Sequence, residues 1–165
     1  MIMADAQIVE LLGRNRLVDE ILRAGMEVAL PLRDRGIDLL VYADTGDGVL
    51  AFAAKPIQMK AASGQSFSID RKYEAFPNLI LAFVWNVTDA ANVVTYAMTY
   101  ADALAIGDQM GYTQTESWRK GRYHCTSISG RLLQLIEAHR MTPGRWQSMV
   151  AGTSSRDVAL SKPVE

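Results

Sequence analysis

Apolar residues along the chain follow two periodicities. Between Asp5 and Ala24, the side chains of Ile8, Leu11, Leu12, Val18, Ile21 and Leu22 recur at helical spacing. Asp5 is placed to cap this helix and Gly25 to end it. On a wheel of about 100° per residue these side chains form one stripe, which predicts the core-facing side. Asn15 falls inside the stripe and Asp19 beside it, whereas Glu10 and Glu20 fall well outside. Beyond Gly25 the pattern changes to strand-length apolar runs. Residues 26–32 read as a short strand closing at Pro31. After the charged turn at 33–36, residues 37–42 are apolar except for Asp38. The Asp-Thr-Gly-Asp-Gly stretch at 44–48 is a strong turn signal, which joins this strand to residues 49–54 as an antiparallel hairpin. Pro56 interrupts the second arm, an edge position or a bulge, before Ile57, Gln58, Met59 and Lys60.

A polar connection over 63–70 leads to Arg71, Lys72, Tyr73 and Glu74. Residues 79–85 and 93–98 then read as strands, 101–110 as a short helix closed by Gly111, and 129–139 as a better one. Pro143 opens a last helical turn around Trp146. Few large apolar residues follow Gly152, so residues 152–165 read as a flexible tail after one domain over 1–151. This order of helix, three strands, connection, two strands and C-terminal helices predicts an α/β or α+β sandwich around a mixed sheet.

Composition narrows the function classes. Hydrophobic residues make up 49% and charged residues 21%, enough apolar surface for a real core within 165 residues. The net charge of −1 sets up no global basic field, so any phosphate contact has to come from a local patch. The N-terminal residues lack the basic start and apolar stretch of a signal peptide, and no apolar run reaches membrane-spanning length. A single cysteine, Cys125, excludes an internal disulfide and a multi-cysteine zinc site. A cytoplasmic protein with no membrane partner is the expectation.

The chemistry concentrates in a polar trio on otherwise apolar strands. Gln58 and Lys60 stand two apart and share one strand face, opposite Ile57 and Met59. If the hairpin forms, Asp38 can approach both. A carboxylate and a carboxamide oxygen are hard ligands of the kind Mg²⁺ accepts, with water and substrate phosphate completing the shell. A lysine beside them can orient the attacking water or offset charge on the phosphate. The same residues also fit a salt-bridged turn aspartate and the wet face of an edge strand.

The run Gly36-Ile37-Asp38-Leu39-Leu40-Val41-Tyr42, followed by Ile57-Gln58-Met59-Lys60-Ala61, resembles the signature of the PD-(D/E)XK nuclease-like proteins. It is similar to the branch in which Gln replaces the acidic residue before x-Lys, and the likeness covers roughly residues 5–85. The resemblance implies a restriction endonuclease-like α/β fold, a mixed central sheet flanked by helices with further C-terminal helices. It also implies a metal-dependent nuclease hydrolysing phosphodiester bonds, with Mg²⁺ or Mn²⁺ as cofactor and nucleic acid as partner, DNA ahead of RNA. Asp38 would be the metal-ligating acid, Gln58 the variant second ligand and Lys60 the catalytic lysine. Many relatives add a Glu from the first helix; here the stripe holds Asn15 instead, with Asp19 one turn on, as further metal ligands. The missing Glu makes an inactive nuclease-fold module that binds nucleic acid or a protein partner the alternative function. A homodimer through the edge strand near Pro56 is a further expectation.

Secondary features supply candidate phosphate contacts: Arg33 and Arg35 before the Asp38 strand, Lys72 beside Arg71, and Arg119, Lys120 and Arg122 interleaved with Trp118 and Tyr123. Each also reads as a solvated turn, the last as a surface loop anchored by its aromatics. His124 and Cys125 would need further ligands to hold zinc, and Cys125 alone reads as a small buried hydrophobe.

Overall fold

The computed structural model describes residues 5–33, 35–43 and 53–151. The expected turn at 44–48, the start of the following strand, and the tail at 152–165 lie outside the described residues, as does Asp34.

Five strands form one mixed sheet. Helix α1 (Ala6–Arg23) precedes β1 (Glu27–Ala29), β2 (Leu39–Ala43) and β3 (Ala53–Ala61), which pair antiparallel in chain order. β4 (Phe67–Asp70) and a 3₁₀ turn (Arg71–Ala75) then cross over to β5 (Ile80–Trp85), which runs parallel to β3. β6 (Val94–Thr99) closes the sheet in the order β1-β2-β3-β5-β6. Helix α2 (Tyr100–Gln109), short helix α3 (Glu116–Arg119), β7 (Arg122–Cys125), α4 (Gly130–Glu137) and α5 (Pro143–Ala151) follow. β4 and β7 pair with each other as a separate antiparallel ribbon. The architecture is therefore mixed α/β, with a five-stranded mixed sheet flanked by helices. Among the described residues no helix is long and apolar enough to cross a membrane.

Both faces of the sheet are covered, which explains why β5 is apolar throughout and buried along its whole length. On one face α1 and α5 pack Leu17, Ile21 and Trp146 against Leu39, Val41, Ile57, Met59 and Ala82. On the other, the β4–β7 ribbon, α2 and α4 bury Phe67, Ile69, Leu132 and Ile136 with Leu81, Phe83 and Trp85. Pro56 lies just before the first β3–β5 pair, Ile57 with Ile80, so it removes no donor from that ladder. β3 as a whole is an interior strand between β2 and β5 rather than the edge that Pro56 suggests.

Helix α1 keeps its expected period and both caps: Asp5 accepts a hydrogen bond from the Gln7 N–H at 3.1 Å, and Gly25 follows its end at φ +79°. Its phase is roughly half a turn from the expected one. Gly13, Leu17 and Ile21 are the buried residues, while Ile8 and Leu11 remain 51% and 54% exposed and Leu12 and Leu22 face outward with them. The reason is steric. A Cβ on Gly13 would come within 2.5 Å of the Ala61 Cβ, so the glycine lets the helix lie close on β3. Asn15 and Asp19 consequently point away from the sheet, and Asp19 pairs with Arg23 at 2.9 Å. The expectation that they turn inward is corrected.

The ribbon is the second departure. Residues 63–70 read as a polar connection and 118–124 as a loop, yet Phe67 to Asp70 and Arg122 to Cys125 pair in full register. Both segments alternate apolar with polar, and Phe67, Ile69, Tyr123 and Cys125 belong to the second core cluster. Four-residue strands joined across more than 50 residues leave little trace in local pattern.

Candidate functional site

Asp38 owes its position to the turn before β2. Gly36 sits at φ +87°, a conformation that costs glycine little and other residues more. The Asp38 N–H then donates to the Ile57 carbonyl at 2.9 Å, carrying the β2–β3 pairing one residue beyond the strand. Leu39 opposite Ile57 belongs to the cluster under α1 and α5, so Asp38, one residue earlier, faces the other side of the sheet with Gln58. Gln58 and Lys60 lie beside Leu81 and Phe83 of β5, which belong to the second cluster. All three polar side chains therefore share one face.

Their contacts are direct. Asp38 Oδ2 accepts hydrogen bonds from Gln58 Nε2 at 2.6 Å and from the Met59 backbone N–H at 2.7 Å. Gln58 Nε2 also donates to the Met59 carbonyl at 3.2 Å, and the side chain is only 8% exposed. Lys60 is half-buried, its Nζ 5.5 Å from the centre of the Tyr73 ring. Burial, aided by Lys72 and Arg122, holds the Lys60 ammonium below its ordinary pKa against the opposing pull of Asp38 and Asp70.

The trio opens into a cleft of about 740 Å³. Glu10 from α1 and His124 from β7 line it together with Asp38, Gln58, Lys60 and Ser66. Glu10 thus approaches the site from the helix side that the wheel assigned to solvent. It pairs with Arg14 at 2.6 Å, and Arg14 lies with Asp38 around a smaller cavity of about 120 Å³. Of the polar α1 residues, Glu10 rather than Asn15 or Asp19 lines the cleft. A sequence signal for it exists in the i, i+4 line of Gly13, Leu17 and Ile21, small and apolar where a helix must lie close on a sheet.

No family model matches the chain, and no curated protein or solved structure shows significant similarity to it. What the cleft can do is therefore read from its own chemistry. Among the described residues no three His, Cys, Asp or Glu side chains gather in a way that could hold a metal on their own. Asp38 and Glu10 are two carboxylates on one cleft, a donor set that fits Mg²⁺, which keeps several waters and commonly takes only one or two protein carboxylates plus substrate phosphate. The Gln58 carboxamide fits as well. In the structure it presents Nε2 to Asp38, so Oε1 would serve as a ligand only with the amide turned over.

The remaining candidates are dispersed. Arg33 and Arg35 are exposed in the connection before β2. Lys72 lies 5.0 Å from the Tyr73 ring centre and 3.7 Å from Asp70, while Arg71 stacks 5.8 Å from the Trp118 ring centre. Arg119 is exposed at the end of α3, and Lys120 pairs with Glu116 at 3.0 Å. Arg122 lines a groove that adjoins the cleft at Lys60. Strand alternation separates His124 from Cys125: the imidazole faces the cleft, and the thiol packs against the core.

Proposed function

We propose that the protein is a metal-dependent phosphodiester hydrolase with a restriction endonuclease-like core, of the PD-(D/E)XK type, acting on nucleic acid. The observation that carries this reading is the hydrogen-bonded Asp38–Gln58 pair beside a half-buried lysine in one open cleft. Asp38 and Gln58, with Glu10 nearby, would hold Mg²⁺ or Mn²⁺, which supplies charge neutralisation and a more acidic bound water. Lys60, its proton loosened by burial, exchanges that proton at Nζ closer to neutral pH than a solvated lysine does. It also places a positive charge where the phosphate becomes more anionic. Arg14 holds Glu10 in place at the rim by its ion pair.

The test is cleavage of labelled DNA and RNA oligonucleotides with Mg²⁺ or Mn²⁺. Asp38→Asn should lose at least about 100-fold in rate, the scale of removing one preorganised electrostatic group. Undiminished cleavage by this variant would show that the activity resides elsewhere.

One observation favours a second reading, a module that binds nucleic acid without cutting it. Asp38 Oδ2 already accepts two N–H donors, so the pair is self-satisfied as a structural element. Binding that persists in chelator, with no turnover on adding metal, would select the module.

A further inference from the structure

The β4–β7 ribbon presents two faces. Phe67, Ile69, Tyr123 and Cys125 pack into the second core cluster. Register places Ser68 opposite His124 and Asp70 opposite Arg122, so these four side chains share the outer face. That face lines a groove of about 280 Å³ together with Lys60 and Ser66. Lys60, Ser66 and His124 also line the larger cleft, so the groove and the cleft adjoin.

We propose that this outer face is an anion subsite, which holds a second phosphate of the nucleic-acid strand whose neighbouring phosphodiester lies at the Asp38–Gln58–Lys60 cleft. The assignment rests on the nuclease reading for the second half of that statement only. The donor set is a guanidinium from Arg122, the His124 imidazole, the Ser68 hydroxyl and the Lys60 ammonium, groups that together recognise phosphate oxygens. The local charge agrees. Lys60 and Arg122 line the groove, and Asp70 is the one carboxylate that lines it among the described residues. Asp70 is itself engaged by Lys72, accepting its backbone N–H at 3.0 Å with the ammonium 3.7 Å away. Among the described residues no carboxylate forms a salt bridge with Arg122. Cations crowded round one groove raise each other's energy, and an anion between them lowers it. The ribbon thus gives a protein of net charge −1 the local basic surface that its composition does not provide.

The test is equilibrium binding of a short fluorescein-labelled DNA duplex in EDTA, so that turnover plays no part, over a range of salt concentrations. The double variant Arg122→Ala/His124→Ala should bind about tenfold more weakly at low salt, and its slope of log affinity against log salt should be shallower by about 1 to 2. Arg23→Ala removes a charge of the same sign from the far end of α1 and should leave the slope unchanged. Both ribbon residues are exposed, so thermal melting should show the double variant folded. Equal affinity and slope in the wild type and the double variant, an equal loss in Arg23→Ala, or no binding by the wild type would each overturn the subsite. Ribbon-dependent binding without metal-dependent cleavage would uphold the subsite and remove the nuclease reading. Cleavage by a protein whose binding ignores the ribbon would do the reverse.

Discussion

Under the proposed hydrolase reading, replacing Lys60 with methionine is expected to lower metal-dependent cleavage by about 10²–10⁴-fold while leaving the fold intact. Methionine keeps the length and apolar stem of lysine and removes only the ammonium, so the packing beside Tyr73 persists. Stability should move the opposite way from activity. Lys60 binds its proton less tightly in the folded protein than in the unfolded chain, so over the alkaline range below the ordinary lysine value the unfolded state carries more protons. The wild type therefore gains stability from this group as pH rises from its lowered value toward 10.5, and the methionine variant lacks that gain. Urea unfolding at several pH values reads the difference, and single-turnover cleavage reads the chemistry. A variant that cuts as fast as the wild type would remove Lys60 from the mechanism.

Leu17→Ala is expected to destabilise the protein by about 2–5 kcal/mol, whereas Leu11→Ala, one helical face away, should stay within about 0.5 kcal/mol. Leu17 is fully buried between α1 and the sheet with Ile21, Met59 and Ile57 of the same cluster. Leu11 is 54% exposed on the outer face of the same helix. The two substitutions delete the same atoms from the same element, so propensity cancels and burial alone separates them. Chemical denaturation of both variants measures the contrast. Equal losses would place the outward apolar stripe of α1 against the core.

That stripe marks where sequence reasoning loses its hold. Ile8, Leu11, Leu12 and Leu22 on the outward side match in number Val9, Leu17, Val18 and Ile21 on the core side, so counting hydrophobics does not select the face. The inward side is set by fit: Gly13 and Ala24 bring the helix close to the sheet, and Leu17 and Ile21 fill what remains. Glu10 was hidden by the same error, since its place at the cleft follows from the phase of the helix. The strands were more legible. A period of two fixes which side chains share a face, so Gln58 and Lys60 could be placed together from spacing alone, and a single pairing register then brings in Asp38. The parallel β3–β5 pairing and the distant β4–β7 ribbon depend on contacts that no local window contains. His124, Ser68 and Asp70 thus acquire their neighbours only in three dimensions.

The most direct test of the central proposal is a crystal soaked in Mn²⁺ and measured at the manganese absorption edge. The account predicts an anomalous peak within bonding distance of an Asp38 carboxylate oxygen, with the Gln58 carboxamide turned so that Oε1 faces the ion. A fully soaked crystal with no peak in the cleft, and with Gln58 Nε2 still donating to Asp38, would contradict it.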